Sequence, residues 1–591
     1  MSPAIPIGVF LSVAIACSAA ERPNFIVVYT DDHGWPDLGA AGVYDDLKTP
    51  HIDALAQSGV RATNGYSTAP QCVPSRAGLL AGRAQNRFGV ESNAETLEGF
   101  NAQETIAERL KKAGYATGQV GKWHLGPNHE IPTHGFDDVY AKNANRPCHA
   151  NFTLAGESIK MQIVDDKLYH LDACTLAALA FIRRHEDQPF FLYLAYRAPH
   201  VPLDAPEKYL SRFPGEMPER RRQALAMIAA MDDGVGLITR ELRARGLTEK
   251  TLIFFIGDNG APLKIHKLDA PGGGPGWDGS LNEPMNGEKG MLSEGGLRVP
   301  YLVSWPGTIP GNQVYHHPVT SLDVAATAAA LAGIPAPAKL DGVNLVPFLK
   351  GEKKEAPHPL LTWRWVAQSA AREGKWKLLK GGQREYLFDL EADPSEQTNL
   401  LSQYPEIADR LRSQLTDWAD QLQPPGLTTH AMAATWERYF DHYLDKKPIE
   451  LPEAKTSTHG DWIARNATLA IAEHSMVITP DHSPSSFFLA NSKVHFKHAF
   501  QAKIHAQIPK TGNLGIAWRS HHQKGFEKGQ AISLPIVGSD RIQEFTIDVP
   551  AKGETIHVRI HFPNTTVTIE QITLKNAQVR RDWKYVSPLP K

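Results

Sequence analysis

The chain has 591 residues, with 62 Lys and Arg against 64 Asp and Glu, so its formal net charge is −2 at pH 7. Its composition, 42% hydrophobic and 21% charged, is globular and excludes a disordered chain, a collagen-like fibre and a multi-span membrane protein. Without a basic excess, the chain is not expected to bind nucleic acid in general. The length suggests roughly two to four domains, and the four cysteines are too few for a disulfide scaffold.

The N-terminus has the pattern of a targeting segment. Residues 5–16 form an apolar run that is too short to span a membrane and is followed by CSAAE. This pattern predicts a signal peptide over residues 1–20, although no Lys or Arg precedes the apolar run. We therefore expect export to the periplasm or the extracellular space and no membrane span. Cys17 would leave with the peptide or carry a lipid anchor, and a buried core helix is the alternative interpretation.

Four apolar runs in the first half of the chain have the composition of buried parallel strands. Helical patterns, such as 104–113 and 221–243, lie between them. The four runs are Asn24–Thr30, Thr117–Val120, Phe190–Tyr196 and Thr251–Gly257. This alternation predicts an α/β fold with a mostly parallel sheet flanked by helices.

Reactive side chains follow each of these four strands. They are Asp31 and Asp32, then Lys122 and His124, then His200, and finally Asp258 and Asn259. In open α/β sheets, ligands bind beyond the carboxyl ends of the strands. Carboxylate and amide oxygens favour Ca²⁺ or Mg²⁺ over zinc, and a cation would relieve their mutual repulsion. We therefore expect a divalent cation at this edge of the sheet.

Cys72 opens the pattern C-x-P-S-R at residues 72–76, which continues as AGLLAGR. Pro74 is suited to the first turn of a helix, which would put Cys72 at an N-terminus that favours an anion. Arg76 lies four residues on and returns to the same face of the helix. A core cysteine beside a structural arginine is the alternative for an arbitrary C-x-x-x-R, but the full pattern is far rarer.

With these motifs the chain resembles the type I formylglycine-dependent sulfatases, which are arylsulfatase-like members of the alkaline-phosphatase superfamily. The resemblance covers roughly residues 22–425 in order. Beyond C-x-P-S-R and Asp31-Asp32, it rests on GKWHLG at 121–126, APHVPL at 198–203, DNG at 258–260, Lys289 in KGMLSEGGLRVP, the WPG and LDG segments at 305–307 and 340–342, and the segment 376–400.

The resemblance implies a nucleophile, a cation and a set of charged partners. A formylglycine-generating enzyme would oxidise Cys72 to formylglycine, whose hydrate attacks the sulfate ester and later expels sulfate by elimination. Asp31, Asp32, Asp258 and Asn259 would hold Ca²⁺, or less favourably Mg²⁺, together with the modified Cys72. Arg76 would stabilise the hydrate, and Asp258 would receive the proton of the attacking hydroxyl. Lys122, His200 and Lys289 would bind sulfate. His124 would take the proton of the remaining hydroxyl, so that the aldehyde re-forms.

The sequence also predicts how the domains are arranged. The boundaries are a signal peptide at 1–20, a catalytic domain at 21–340, a C-terminal subdomain with a trailing helix at 341–445, a linker at 446–460 and an accessory domain at 461–591. In the accessory domain a period of two, at 494–506, 556–562 and 566–574, predicts an antiparallel β-sandwich. This domain resembles carbohydrate-binding modules, with Trp518, Arg519, His521 and His522 as a candidate sugar platform, or it packs against the catalytic domain.

Other residues are weaker candidates. Cys148 and Cys174 would form a disulfide in an oxidising compartment or remain two free thiols. Trp277, His149, Trp363 and Arg364 are candidate substrate contacts, although Trp277 lies in a Gly- and Pro-rich segment typical of a surface loop.

The expected function is an exported sulfatase acting on a sulfated carbohydrate. One alternative is a phosphatase or phosphonate hydrolase of the same superfamily. The other is a non-catalytic binder of sulfated glycans in which Cys72 stays unmodified.

Overall fold

The structure is a computed structural model. It describes residues 22–585, except 264, 267–278, 336–338, 428–431, 449–455, 460, 473, 481–486, 492–493, 521–525 and 528. The predicted signal peptide with Cys17, and also Trp277, His521 and His522, therefore lie outside the described residues. Among the helices that are described, none is both long and apolar enough to cross a membrane.

The first part of the chain forms a large mixed sheet whose central strands are parallel. The strands are β1 Asn24–Asp31, β2 Val60–Ala62, β3 Gly65–Tyr66, β4 Ala116–Gly121, β5 Asp138–Ala141, β6 Cys148–Phe152, β7 Ser158–Val164, β8 Phe190–Pro199, β9 Thr251–Gly257, β10 Tyr301–Ser304, β11 Gln313–Tyr315 and β12 Val319–Thr320. The sheet order is β11-β2-β10-β9-β1-β8-β4-β5-β6-β7, and β3 pairs with β12 separately. Strand β1 runs parallel to both of its neighbours, β8 and β9.

Helices cover both faces of this sheet. They are α1 Pro50–Gln57, α2 Cys72–Ala81, α3 Glu98–Asn101, α4 Ile106–Lys112, α5 His170–Arg184, α6 Glu207–Leu210, α7 Glu219–Ala244, α8 Glu294–Leu297, α9 Asp323–Leu331 and α10 Val346–Leu349. Successive β1 side chains enter opposite cores, because strand side chains alternate. Ile26 and Val28 pack in the core that includes α5 and α7, and Val27 packs in the core that includes α2 and α4.

A smaller antiparallel sheet follows the large one. Its strands, in sequence and in spatial order, are β13 Leu361–Trp365, β14 Gln368–Glu373, β15 Trp376–Gly381 and β16 Arg384–Asp389. Helix α11 Pro405–Ala419 packs on one face through Leu411 and Leu415, and α12 Ala434–Tyr439 continues as a π-helix at Phe440–Leu444 on the other.

The C-terminal part forms two antiparallel sheets around one hydrophobic core. The strands are β17 Thr456–His459, β18 Trp462–Arg465, β19 Ala467–Ala472, β20 Ser475–Pro480, β21 Phe488–Asn491, β22 Phe500–Ile508, β23 Gly512–Ser520, β24 Ala531–Ile536, β25 Ser539–Val549, β26 Thr555–His561, β27 Val567–Lys575 and β28 Arg580–Lys584. One sheet has the order β17-β18-β21-β26-β23-β24, and the other β19-β20-β27-β22-β25 with β28 on β27.

These layers confirm the predicted fold class, an alkaline-phosphatase-like α/β sheet with a small second sheet and added C-terminal antiparallel sheets. Three local expectations were wrong. The predicted strand at 494–506 begins only at Phe500, and strand β17 occupies Thr456–His459 inside the predicted linker. Trp518 is 5% exposed and packs in the sandwich core, so it cannot stack on a sugar at the surface.

Candidate active site

Four neighbouring strands bring the predicted polar residues to one edge of the large sheet. In the order β9-β1-β8-β4, these strands end next to Asp258, Asp31, His200 and Lys122. Because all four strands are parallel, their carboxyl ends lie together. The spacing of residues in the sequence could not show this adjacency, which the sheet order provides.

Two residues at this edge have left-handed backbone conformations. Asp32 has φ = 57° and His124 has φ = 63°. Non-glycine residues rarely adopt this conformation, and they do so mostly where surrounding structure enforces it. At Asp32 the turn aims the backbone N–H at Asp258 Oδ1, 3.1 Å away. The backbone is thus held in a less favourable conformation at the place where the carboxylates converge.

Cys72 is the first residue of α2, and it lies against these carboxylates. Its Sγ atom is 3.5 Å from Asp31 Oδ1 and 3.9 Å from Asp32 Oδ1, and the residue is 1% exposed. The Nζ atom of Lys289 approaches Sγ to 3.3 Å. The helix N-terminus also directs its free N–H groups toward this end. The thiol therefore lies at a helix N-terminus between two carboxylates and a lysine.

Three buried cations pair with three buried carboxylates around Cys72. Arg76 Nη2 lies 2.7 Å from Asp258 Oδ2, Lys122 Nζ lies 2.6 Å from Asp31 Oδ2, and Lys289 Nζ lies 2.5 Å from Asp32 Oδ1. None of these side chains is more than 4% exposed. Removing one partner of such a buried pair is costly, because it leaves an uncompensated buried charge.

Burial controls the protonation of the thiol and of one carboxyl. Burial raises the pKa of Cys72 to about 12, although Lys122 and Lys289 oppose the shift. The unmodified side chain is therefore a neutral thiol near neutral pH and a weak nucleophile. Burial, followed by the charge of Asp31, raises the pKa of Asp258 to about 7 despite the neighbouring Arg76. A carboxyl with a pKa near neutrality is suited to receiving a proton.

His200 lies beside Asp32, with its Nε2 atom 3.5 Å from Asp32 Oδ2. Burial lowers the pKa of His200 to about 3, so its imidazole is neutral near pH 7. Its Nδ1 is 2.6 Å from the Val201 carbonyl oxygen, which can only accept a hydrogen bond. Nδ1 therefore carries the proton, and the lone pair of Nε2 faces Asp32.

The donor set fits a divalent cation. Ligand atoms of Asp31, Asp32, Cys72 and His200 all lie within 4.8 Å of one another. Asp32 Oδ2 and Asn259 Oδ1 are buried and accept no hydrogen bond from any described residue. Buried oxygens without a donor are costly unless a cation approaches them. Asp258 is not in this group, and both of its oxygens already accept hydrogen bonds, one from Asp32 N and one from Arg76 Nη2.

His124 differs from the other residues of the site, because it is exposed. Desolvation and then the charges of Lys122 and Arg76 lower its pKa, and the exposure means that solvent offsets part of this effect. The imidazole is thus a neutral base that solvent can reach.

Two residues of the site had no motif to mark them. Tyr193 on β8 accepts a hydrogen bond from Arg76 Nη1 at 3.2 Å, and the Arg76 guanidinium lies 5.3 Å from the centre of the Tyr29 ring. Together these two contacts hold Arg76 in place. The only signal in the sequence was a tyrosine inside each buried apolar run, which also occurs in ordinary cores.

The expectations for Trp363 and Arg364 were wrong. Trp363 is 3% exposed and donates from Nε1 to the Ser67 carbonyl. Arg364 is 2% exposed, pairs with Glu91 and donates to the carbonyl oxygens of Pro424 and Gly426. Both side chains hold the second sheet to the catalytic domain, so neither has a free polar group for a substrate.

The cysteine pair and His149 have simple environments. Cys148 and Cys174 are buried free thiols, and Cys174 Sγ lies 3.5 Å from the Lys142 carbonyl oxygen, so the disulfide alternative is wrong for this structure. His149 is partly exposed, and its ring centre lies 6.0 Å from that of His129. A substrate contact at His149 stays a prediction.

The fold and this arrangement of charges around a buried nucleophile position define a hydrolase of the alkaline-phosphatase superfamily. The family described as Sulfatase matches residues 23–334, and the family described as N-sulphoglucosamine sulphohydrolase, C-terminal, matches residues 287–421. The chain belongs to the sulfatase family, and it is a sulfuric ester hydrolase.

Individual relatives agree with this membership. N-acetylgalactosamine-6-sulfatase of Mus musculus is 30% identical over 500 residues, which cover 79% of this chain and 88% of that protein. Arylsulfatase A of Bos taurus is 32% identical over 461 residues, covering 67% and 87%. The crystal structure of Ps i-CgsB in complex with k-i-k-neocarrahexaose is 31% identical, with a TM-score of 0.60, covering 72% of this chain and 98% of that chain.

Proposed function

We propose that this sulfatase is exported, that Cys72 is converted to formylglycine, and that it removes sulfate from a sulfated carbohydrate with the help of a bound Ca²⁺. The observation that carries the proposal is the position of Cys72 Sγ, within 3.5 Å of Lys289 Nζ and Asp31 Oδ1 at the start of α2. A neutral thiol does not need this concentration of charge, whereas a reacting oxygen that carries sulfate does.

The thiol itself is a weak nucleophile on chemical grounds. Its raised pKa leaves almost no thiolate near neutral pH. An aldehyde at this position supplies, as its hydrate, a hydroxyl that can take up sulfate and a second hydroxyl through which sulfate can be expelled. This removes the need for a second difficult hydrolysis. A formylglycine-generating enzyme would be the partner required during maturation.

The surrounding side chains would bind and orient the sulfate. Lys122 and Lys289 present positive charge next to Cys72, where the sulfate oxygens would lie. Arg76 stands on the same helix face and holds Asp258, whose raised pKa suits it to receive the attacking proton. Fixed cations in a buried site stabilise developing charge without reorganising, and one such donor contributes about 10²–10³-fold in rate.

The two histidines have different positions and therefore different proposed tasks. Neutral His200 is held by the Val201 carbonyl beside Asp32, and it would help the leaving alcohol depart once its Nε2 atom has taken up a proton that it can pass to the alcohol oxygen. His124, which is exposed, would take the proton whose loss allows sulfate to leave. Both residues have lowered pKa values, so both are neutral near pH 7.

The cation would be held by Asp31, Asp32, Asp258 and Asn259 together with the modified Cys72. Asp32 Oδ2 and Asn259 Oδ1, which are buried without a described donor, support this assignment. An all-oxygen carboxylate and amide set favours Ca²⁺. When bound, the cation would neutralise the carboxylates and polarise the sulfate ester.

Carbohydrate as the substrate class is supported by two relatives. One is named N-acetylgalactosamine-6-sulfatase, and the solved relative Ps i-CgsB is bound to k-i-k-neocarrahexaose. Export is supported by the predicted signal peptide, and it would expose the enzyme to extracellular polysaccharides.

The test combines mass spectrometry with turnover. Protein from its native host should give a Cys72 peptide with the mass of formylglycine and should hydrolyse an aryl sulfate faster than the matching aryl phosphate or phosphonate. A panel of sulfated sugars then identifies the substrate. An unmodified Cys72 in protein that still hydrolyses sulfate esters would refute the formylglycine proposal. Faster phosphate or phosphonate hydrolysis would favour the superfamily alternative, and an unmodified, inactive protein that binds sulfated glycans would favour the binder.

A further inference from the structure

Lys289 extends from a tight turn at residues 288–291, which we call the Lys289 turn. The Met291 N–H donates to the Glu288 carbonyl oxygen at 3.0 Å, and Gly290, the third residue of the turn, has φ = 92°. These are the features of a type II turn, whose third position favours glycine because φ is positive there. The conformation of the turn fixes where the Lys289 side chain leaves the backbone.

The charged end of Lys289 occupies a confined place in the active site. Its Nζ atom lies 2.5 Å from Asp32 Oδ1 and 3.3 Å from Cys72 Sγ, and the residue is 3% exposed. Lysine carries its charge on a flexible four-carbon stem, so the backbone at its base must be held if the ammonium group is to stay in register. A displacement of about 1 Å at a reaction centre can cost about 10²-fold in rate.

The catalytic domain holds one side of the Lys289 turn through the backbone. The Lys289 N–H donates to the Ala261 carbonyl oxygen at 3.1 Å, and the Gly290 N–H donates to the Pro70 carbonyl oxygen at 2.9 Å. Pro70 lies two residues before Cys72, so the second bond ties the turn to the segment that leads into α2. The Gly290 carbonyl and the Leu292 N–H bind a different part of the chain.

That part is Gln368 of the second sheet. Its Nε2 donates to the Gly290 carbonyl oxygen at 2.9 Å, and its Oε1 accepts from the Leu292 N–H at 3.0 Å. Because a carbonyl oxygen only accepts and an N–H only donates, these two partners fix the orientation of the amide. One side chain, 2% exposed, thus binds the backbone at two points directly after Lys289.

Gln368 is itself firmly placed. It is the first residue of β14 and pairs with Trp365 on β13 and with Gly381 on β15. The ring centre of Trp365 lies 4.6 Å from that of Trp436. A Cβ atom at Gly290 would lie 2.7 Å from the Trp436 ring, so the turn packs closely against this aromatic layer.

The two backbone groups that Gln368 binds lie in a buried stretch of chain. Met291 and Leu292 are both 0% exposed and pack in the core that includes Trp365. Buried backbone groups without a hydrogen-bond partner are costly. Loss of the Gln368 amide is therefore expected to displace the Lys289 turn, because the Gly290 carbonyl and the Leu292 N–H must then find other partners.

We propose that Gln368 is a positioning residue for Lys289: by binding Gly290 and Leu292, it sets the place from which Lys289 reaches the sulfate group at Cys72. The second sheet then contributes to the reaction as well as to the stability of the fold. The inference rests on the proposed role of Lys289 in binding sulfate.

The test is a double-mutant cycle in the hydrolysis of an aryl sulfate, with rates divided by the formylglycine content at position 72 measured by mass spectrometry. Lys289→Met should lower kcat/KM by about 10²–10³-fold, because it removes one fixed cation. Gln368→Met, which has no donor, should lower it by about 10–10²-fold. The double variant should be no worse than Lys289→Met alone, because a residue that acts through Lys289 has nothing to position once that lysine is gone.

Two control variants separate positioning from a loss of stability. Gln414→Met removes an amide of the same subdomain that donates to Glu373 Oε1 at 3.0 Å, and Lys377→Met disturbs the same sheet through its pair with Glu294. Both should keep kcat/KM within about twofold of wild type. Thermal unfolding shows whether each variant is folded. If Gln368→Met does not fold, Gln368→Glu takes its place in the cycle, because it keeps an acceptor for the Leu292 N–H.

Three results would overturn the inference: wild-type kcat/KM in the Gln368 variant, additive losses in the double variant, or an equal loss in either control. Failure of the proposed role of Lys289 is a separate result. Folded Lys289→Met with formylglycine at position 72 would then keep the kcat/KM of wild type, whatever the Gln368 variant does.

Discussion

Two buried clusters in this molecule both consist of carboxylates and basic side chains, but they differ in how completely those groups are paired within the protein. Around Cys72, three carboxylates and three cations surround a sulfur atom. One oxygen of these carboxylates, Asp32 Oδ2, and the amide oxygen Asn259 Oδ1 have no described hydrogen-bond donor. Behind the loop that follows Lys289, Lys377 Nζ lies 2.8 Å from Glu294 Oε1 and 2.9 Å from Glu396 Oε1. All three of those side chains are fully buried.

The two clusters differ in the groups that bind their carboxylates. Glu294 and Glu396 are tied to backbone and side-chain groups of the protein: the N–H of Glu294 donates to Glu396 Oε2 at 2.7 Å, and Tyr66 donates to Glu294 Oε2 at 2.7 Å. The cluster at Cys72 instead has oxygen atoms that could bind a cation and basic side chains that could bind a substrate. We infer that the first cluster serves chemistry and the second holds the second sheet to the catalytic domain. Substitutions in the two should therefore separate activity from stability.

The largest effect is expected at Cys72. Cys72→Ala removes the reacting atom, so aryl sulfate turnover should fall by about 10⁴-fold or more, since loss of a nucleophile is rarely compensated. The free energy of unfolding should change little, because the surrounding ion pairs remain. Cys174→Ala is the matched control: it also truncates a buried cysteine, but it should keep turnover and lose about 1 kcal/mol of stability. Comparable turnover losses in both variants would contradict a special role for Cys72.

Lys377 should show the reverse behaviour. Lys377→Met leaves two buried carboxylates facing each other without their shared cation, which should cost about 3–5 kcal/mol in the free energy of unfolding. Turnover per folded molecule should stay near wild type, because Lys377 forms no ion pair with the Cys72 cluster among the residues that the structure describes. Urea denaturation and a specific-activity assay on the same sample separate the two effects.

Lys375→Met provides the control for this change. Lys375 lies two residues away but is exposed and pairs with Asp389. Its loss should not move the midpoint of urea denaturation measurably. If Lys377→Met were as harmless, the buried cluster would not be what stabilises the contact between the two parts.

Cation removal should have a smaller effect that is reversible. Chelation should lower turnover by about 10²-fold and lower the melting temperature, because Asp31, Asp32 and Asp258 would repel one another and a ligand bound only by the folded state stabilises it. Added Ca²⁺ should restore both properties. Asn259→Leu should weaken Ca²⁺ binding measured by calorimetry, which is a readout independent of turnover. Unchanged turnover and melting after exhaustive chelation would contradict the proposed cation.

The sequence identified the reaction centre far better than the parts that support it. Cys72, Arg76 and the residues that follow four strands sit in short motifs whose residue types already state their chemistry. Tyr193, by contrast, matters only because the fold brings its hydroxyl to Arg76, and Lys377 only because a later sheet packs against Glu294. Trp518 shows the same limit in another way: in an alternating strand, a shift of one position decides between core and surface.

The smallest predicted effect concerns pH and Glu396. Burial, partly offset by Lys377, raises the pKa of Glu396 to about 7, whereas a carboxyl in the unfolded chain ionises near pH 4.3. The folded chain therefore holds this proton more tightly, so the associated stability is fully present below about pH 4 and is lost as pH rises through about 7. Glu396→Gln keeps an acceptor for the Glu294 N–H and cannot ionise. Its free energy of unfolding should exceed that of wild type by about 1–3 kcal/mol at pH 8, and the two should converge toward pH 4.

Glu294 gives the matched control because its shift has the opposite sign. Burial opposes its ionisation, but Lys377 and Arg298 outweigh burial and lower its pKa to about 2. Its stabilising contribution is thus present above about pH 4.3 and is lost as pH falls toward 2. Glu294→Gln should therefore be less stable than wild type at pH 8. Urea denaturation of both variants across this pH range decides the assignment: if Glu396→Gln were the destabilised one at pH 8, Glu396 would be the charged partner of Lys377 and Glu294 the protonated one.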